Sequence, residues 1–267
     1  MITQEPFSHK QLGGRTVIVL HAHPDDEAIF TGVTVRRLAD AGARVVMITA
    51  TNGDLGEAYV PLAVGESIAQ RRTAELERAA EILGVARLIQ LGRRDSGLPG
   101  WDDNRHPNAL IAGDVQVLGR HVADIAIAEN AEAVVHYDRQ GIYGHPDHVA
   151  VHRIGRAAAR FAGVTAYEST VDREHLHLAD GRKHLIYAAS HATAVRFGHA
   201  SVEITLAVAG TERDLRAKQA AIAAHSSQVP GDALDEASFG DSYGLEWYVR
   251  DGAPGLLDEL GNAHVFA

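Results

Sequence analysis

Short apolar runs alternate with longer amphipathic stretches through the first two thirds of the chain. TVIVLHA (16–22), VVMITAT (45–51), RLIQLG (87–92) and AVVHYD (133–138) are brief, β-branched and bounded by Gly, Pro or Asp, which predicts buried strands of a parallel sheet. Between them DEAIFTGVTVRRLADAG (26–42), ESIAQRRTAELERAAEILG (66–84) and ALIAGDVQVLGRHVADIAIAEN (109–130) place apolar residues three and four apart, the spacing of one helix face. The first two end on Gly, a common helix stop. A fourth helix is predicted from near Asp147 to Phe161. Strands alternating with helices predict an α/β fold of three αβα layers, Rossmann-like, with a mostly parallel sheet.

Beyond about residue 165 the periodicity is less regular. ITLAV (204–208) and GLEWYV (244–249) read as strands, with a helix near 212–225 between them. No Pro/Ser-rich or charge-run boundary interrupts the chain, so residues 1–267 are expected to form one domain, a core over about 15–170 and a C-terminal elaboration over about 171–267.

Composition narrows the partners. The formal charge is -10, whereas nucleic acids and anionic membranes select basic surfaces, so a small neutral substrate is expected and neither of those partners is. The segment MITQEPFSHKQLGGR is polar and acidic where a signal peptide would be basic and then apolar, and no apolar run reaches the ~18–20 residues of a membrane span. A cytoplasmic location is the expectation. A homo-oligomer is compatible with this composition. The chain has no cysteine and 16 histidines, so a transition metal would have to rest on His and carboxylate ligands.

Ligands of open parallel sheets bind beyond the carboxyl ends of the strands. The loops at those ends are HAHPDDE (21–27), TNGDLGE (51–57), GRRDSGLPGW (92–101) and YDRQGIYGHPDH (137–148), which bring charged and His residues to one rim. The first lacks the G-x-G-x-x-G of a dinucleotide site and holds two carboxylates that would repel a diphosphate. Around the turn fixed by Pro24, His23 and Asp26 can aim an imidazole and a carboxylate at one point, while Asp25 leans elsewhere. A catalytic zinc site needs a third protein ligand and an open position. His145 or His148 supplies it if the first and fourth strands are neighbours. The pair His148 and His152, spaced as in H-E-x-x-H, has Val, Ala and Val between its members and so lacks the glutamate base. Two helix N-caps with first-turn acids would explain the aspartates of both His-Pro-Asp loops but not their histidines.

AHPDDE (22–27) together with YGHPDH (143–148) resembles the PIG-L/LmbE-like zinc N-deacetylase family. TNGDLGE, the R-x-x-E of Arg72 and Glu75, RDSG (94–97), NRHPNAL (104–110) and AHSSQV (224–229) resemble, in order, the branch that deacetylates N-acetylglucosaminyl-inositol in mycothiol synthesis. The resemblance implies a hydrolase in which His23, Asp26 and His148 bind Zn²⁺, with Fe²⁺ or Co²⁺ as substitutes. It also implies that Asp25 is the general base, that protonated His145 stabilises the oxyanion, that Tyr143 is a mobile contact to the intermediate, and that Asp147 orients a catalytic histidine. Arg72 and Asp95 would bind sugar or inositol hydroxyls. A mycothiol S-conjugate amidase or an antibiotic or amino-sugar tailoring N-deacetylase would share this site, and a non-catalytic metal-binding module would not need Asp25 and His145. Three positions depart from the branch: Ile142 stands where Gly is usual, and Ala28 and Phe30 replace more polar residues.

Overall fold

The computed structural model describes residues 11–178, 184–231, 234 and 239–260. The polar N-terminal segment and both ends of the expected 1–267 domain therefore lie partly outside the described residues.

The four predicted strands are β1 (Thr16–His21), β2 (Arg44–Thr51), β3 (Arg87–Arg93) and β4 (Ala131–Tyr137). They belong to one seven-stranded sheet of order β3-β2-β1-β4-β5-β7-β6, completed by β5 (Thr165–Thr170), β6 (Leu206–Ala209) and β7 (Leu245–Asp251). Strands β3 to β5 in this order pair in parallel, and β7 runs antiparallel to both β5 and β6. The strand of TAYEST (165–170) was not predicted, because polar and apolar residues mix in it without forming a run. One predicted feature is corrected: β3 is not buried. It is the outer strand, and Arg87, Gln90 and Gly92 are exposed. By contrast every residue of β1 is buried, as expected for a strand covered on both faces.

Helices α1 (Asp26–Asp40) and α2 (Ile68–Leu83) follow β1 and β2. Ser67 starts α2 with a capping box closed by Gln70, and Gly84 at φ 80° stops it in the left-handed conformation that suits Gly. The helix predicted over 109–130 is divided: residues 110–112 form a separate 3₁₀ turn, and α3 (Val115–Ala128) begins where the Asp114 carboxylate accepts the amides of Gln116 and Val117. Pro146 opens α5 (Pro146–Ala162) and Gly163 closes it, after the one-turn α4 (Gly141–Gly144).

The C-terminal segment adds α6 (Arg173–Leu178), α7 (Ile186–Thr193), α8 (Glu212–Ala224) and α9 (Phe239–Tyr243). Its tie to the rest is polar and buried. Glu246 of β7 accepts the amides of Val33 and Thr34, in the middle of α1, at 2.8 Å each, and is paired with Lys218 of α8 at 2.7 Å. Gly32 makes room for that lysine, since a Cβ there would lie 3.0 Å from the Lys218 Cγ. No helix among the described residues is long and apolar enough to cross a membrane.

Candidate active site

The strand order reverses between β1 and β4, so the loops leaving these neighbours diverge and open a crevice of about 540 Å³. Their adjacency meets the condition for uniting the two His-Pro-Asp loops.

From the β1 loop, the His23 amide donates to Asp26 Oδ2 at 2.8 Å, which closes the turn. From the β4 loop, His145 caps α5 and His148 lies within its first turn. Three donor atoms then form a nearly equilateral triangle: His23 Nδ1 to Asp26 Oδ2, His148 Nε2 to Asp26 Oδ2 and His148 Nε2 to His23 Nδ1 each measure 3.3 Å. Tetrahedral bonds of about 2.0–2.1 Å separate their donors by ~3.3–3.4 Å, so this triangle fits one metal ion. All three residues are buried. Despite burial, His148 and His23 hold the Asp26 carboxyl well below the ordinary range, so it is ionised at neutral pH. Around His23, burial is outweighed by Asp95, Asp147 and Asp26, which raise its pKa; that field favours a positive charge at this point.

A second group of possible ligands, His23, His145 and Asp147, adjoins the triangle. Nε2, the other nitrogen of His23, lies 3.2 Å from Asp147 Oδ2, the carboxylate–histidine pairing that orients metal ligands. Asp147 is itself held by the amide of Ser96 at 2.9 Å and by the Ser96 hydroxyl. His145 Nδ1 accepts the Asp147 amide at 3.2 Å, which places the ring proton on Nε2. Burial, aided by His23 and His148, lowers its pKa well below that of an ordinary histidine. Nε2 donates in either form.

Asp25 is set apart from the triangle. Its φ of 123° is a left-handed value unusual for a residue with a side chain, a strain of about 1–3 kcal/mol that surrounding contacts must offset. One contact is the Asp25 amide donating to Glu27 Oε2 at 2.9 Å. Glu27 is fully buried and pairs through Oε1 with His225 Nε2 at 2.5 Å. Burial opposes both charges, yet their attraction lowers Glu27 and raises His225. The Asp25 carboxyl is pushed up to about 6 by burial, against the pull of Arg72 and with a push from Asp26.

Arg72 lines the crevice and reaches two neighbouring loops. Its guanidinium donates to the Pro24 carbonyl at 2.5 Å and the Gly53 carbonyl at 3.0 Å, and lies 3.3 Å from Asp25 Oδ1. Gly53 and Gly56 must lack side chains, because a Cβ at either would meet Arg72 at 2.4–2.6 Å. Asp95 lines the crevice, but its Oδ1 accepts the Gly97 amide at 2.8 Å and lies 3.7 Å from His23 Nε2. Tyr143 also lines the crevice, its ring 4.8 Å from that of His148; burial and the charges of Asp26, Asp25 and Asp95 keep its phenol protonated. Ile142 before it adopts φ 62°, an unfavourable backbone for a β-branched residue at the position where Gly is usual.

Ser96, Glu27 and His225 were given no role from sequence, although each sits inside a motif already noted. Glu75, the acid of the R-x-x-E, accepts the Ser227 amide at 2.9 Å and its hydroxyl at 2.6 Å, which anchors the loop that carries His225. The residues of α7 that line the crevice carried no motif and were missed entirely.

Fold and site together define a class, an α/β domain whose crevice holds a His-Asp-His group able to bind a metal and a separate buried carboxylate. The chain belongs to the PIG-L family, whose model, described as GlcNAc-PI de-N-acetylase, matches residues 18–159. Among curated relatives, a 1D-myo-inositol 2-acetamido-2-deoxy-α-D-glucopyranoside deacetylase of Salinispora arenicola is 31% identical over 263 residues, covering 89% of this chain and 85% of the relative. The enzyme of the same name from Acidothermus cellulolyticus is 34% identical over 261 residues, 88% of each chain. Among solved structures, the N,N'-diacetylchitobiose deacetylase of Pyrococcus horikoshii superposes with a TM-score of 0.58 at 20% identity, covering 89% of this chain and 84% of that one, a likeness of fold.

Proposed function

We propose that this chain is a zinc-dependent hydrolase that removes the acetyl group from an N-acetylglucosamine-type substrate, giving a free amine and acetate. The observation that carries the reading is the 3.3 Å donor triangle of His23, Asp26 and His148 with Asp25 beside it. Two imidazoles and a carboxylate suit Zn²⁺, and would also accept Fe²⁺ or Co²⁺. The sugar comes from the relatives, whose names specify a 2-acetamido-2-deoxyglucopyranoside.

When bound, the metal supplies Lewis acidity that polarises the amide carbonyl and lowers the pKa of a bound water toward roughly 7. Asp25, ionised at neutral pH and held by Arg72, accepts the proton of the attacking water. His145 Nε2 and the Tyr143 hydroxyl donate to the oxyanion as charge develops on it, each such donor being worth about 10²–10³ in rate. Asp147 keeps His23 in the ring orientation that binds metal. The amine leaves after its nitrogen is protonated, and Asp25, which has just gained a proton, is placed to return it. The Arg72 clamp and the strained backbone fix Asp25 in position for both transfers.

The test is acetate release from protein of known zinc content, offered N-acetylglucosaminyl-inositol, free N-acetylglucosamine, chito-oligomers and mycothiol S-conjugates. Zinc-dependent release from an acetamido sugar is expected. Cleavage of the thiol conjugates alone would identify an S-conjugate amidase, and no turnover by metal-loaded protein would leave a non-catalytic metal-binding module.

A further inference from the structure

The crevice has two unlike parts. Its polar part, built from His23, Asp25, Asp26, Arg72, Asp95 and His145, lies wholly within the 18–159 segment that the family model covers. A second flank comes mainly from outside it. Leu185, Ala188, Ala189 and Ala192 all line the crevice, and their spacing of three and four residues is one face of α7. Ile29 and Phe30 of α1 extend the same apolar surface.

This flank is a built wall. The Leu185 amide donates to the Tyr243 hydroxyl at 3.0 Å, Ile186 is buried at the crevice edge, and Tyr243 stacks on His184 with ring centroids 4.5 Å apart. Much of the neighbouring polar capacity is committed elsewhere. Arg72 donates to the Pro24 and Gly53 carbonyls and lies beside Asp25, its Nε being buried without a partner, and the Gln228 amide donates to the Glu57 carbonyl and the Ser227 hydroxyl. A polyhydroxylated ring laid against α7 would give up hydrogen bonds to water and receive none from this helix face. An alkyl or aryl group would lose nothing and bury apolar surface.

Resting on the N-deacetylase reading, we infer that the substrate is an acetamido sugar bearing an apolar aglycone, an alkyl or aryl group seated against the Leu185–Ala192 face and Phe30. In this respect it differs from the inositol glycoside named for the relatives. The C-terminal elaboration thereby selects the molecule on which the family chemistry is performed.

The experiment compares kcat/KM for acetate release from the methyl, butyl and octyl α-glycosides of N-acetylglucosamine and from N-acetylglucosaminyl-inositol, all with zinc-loaded protein. Burial of a methylene corresponds to about fourfold, so the butyl glycoside is expected to exceed the methyl by at least about tenfold, with the inositol glycoside no better than the methyl. Ala192→Asp, or Ala188→Asp should the first fail to fold, is expected to bring the octyl-to-methyl ratio down toward one. Because the ratio is taken on one protein, a general loss of activity cancels. Acetate release with a flat series, or with the inositol glycoside preferred, overturns this inference and leaves the deacetylase reading standing. A steep series unchanged in both variants overturns the assignment to α7. No release from any glycoside overturns both.

Discussion

Two adjacent aspartates on one loop have been given different environments. Asp26 is pulled into a triangle with two imidazoles, and Asp25 is turned away by a left-handed backbone and clamped by Arg72. Asp25→Asn is accordingly expected to lower kcat by roughly 10²–10⁴ while metal analysis still finds one zinc per chain. His23→Ala and His148→Ala are expected to lose the metal, and a stoichiometric zinc content in inactive His23→Ala protein would count against the ligand assignment. The ligands were partly legible in the sequence. The spacing of His23 and Asp26 around Pro24 pointed to a pair and left His145 and His148 equal candidates for the third place; the family resemblance implied His148, whose Nε2 the first turn of α5 puts against both partners. What spacing could not convey was the use of Arg72, since the backbone carbonyls that claim it belong to two other loops.

At the scale of elements, α1 carries Asp26 at one end and receives a buried carboxylate at its centre. Lys218→Met would leave Glu246 buried beside Val33 and Thr34 without its counter-charge, and a loss of about 3–5 kcal/mol in urea unfolding is expected. Pairing Lys218→Met with Glu246→Gln should restore part of it, because the amide oxygen still accepts a backbone N–H. Strands buried on both faces were readable because nearly every position is apolar, as in β1 and β2. The same rule failed in two ways: β3 is a run of similar appearance on the outer edge, and β5 is interior yet mixes Glu168, Ser169 and Thr170 with apolar residues. α7 escaped because alanines form most of its crevice face and offer little contrast between inside and outside.

For the molecule as a whole, β5 joins the parallel strands to the antiparallel edge, and it carries an ionisable group between them. Burial, and then Asp138, raise the Glu168 carboxyl to about 7 from the 4.5 of an unfolded chain. The fold thus binds this proton more tightly than the unfolded chain does, so the contribution is fully present below about pH 4.5 and is lost as pH rises through about 7. Glu168→Gln is expected to flatten the change in unfolding free energy between pH 5 and pH 8 and to gain about 1 kcal/mol at pH 8, a figure reduced for the group's partial exposure. The link between Glu246 and α1 also has a consequence in time. Val33 and Glu246 are 213 residues apart, whereas His23 and His148 are separated by 125. At roughly 5–20 residues per second, synthesis delivers Glu246 about 10–40 s after Val33, so the nascent chain possesses His23, Asp26 and His148 while two amides of α1 still await their acceptor. The whole donor triangle is therefore synthesised before the strand that completes the sheet.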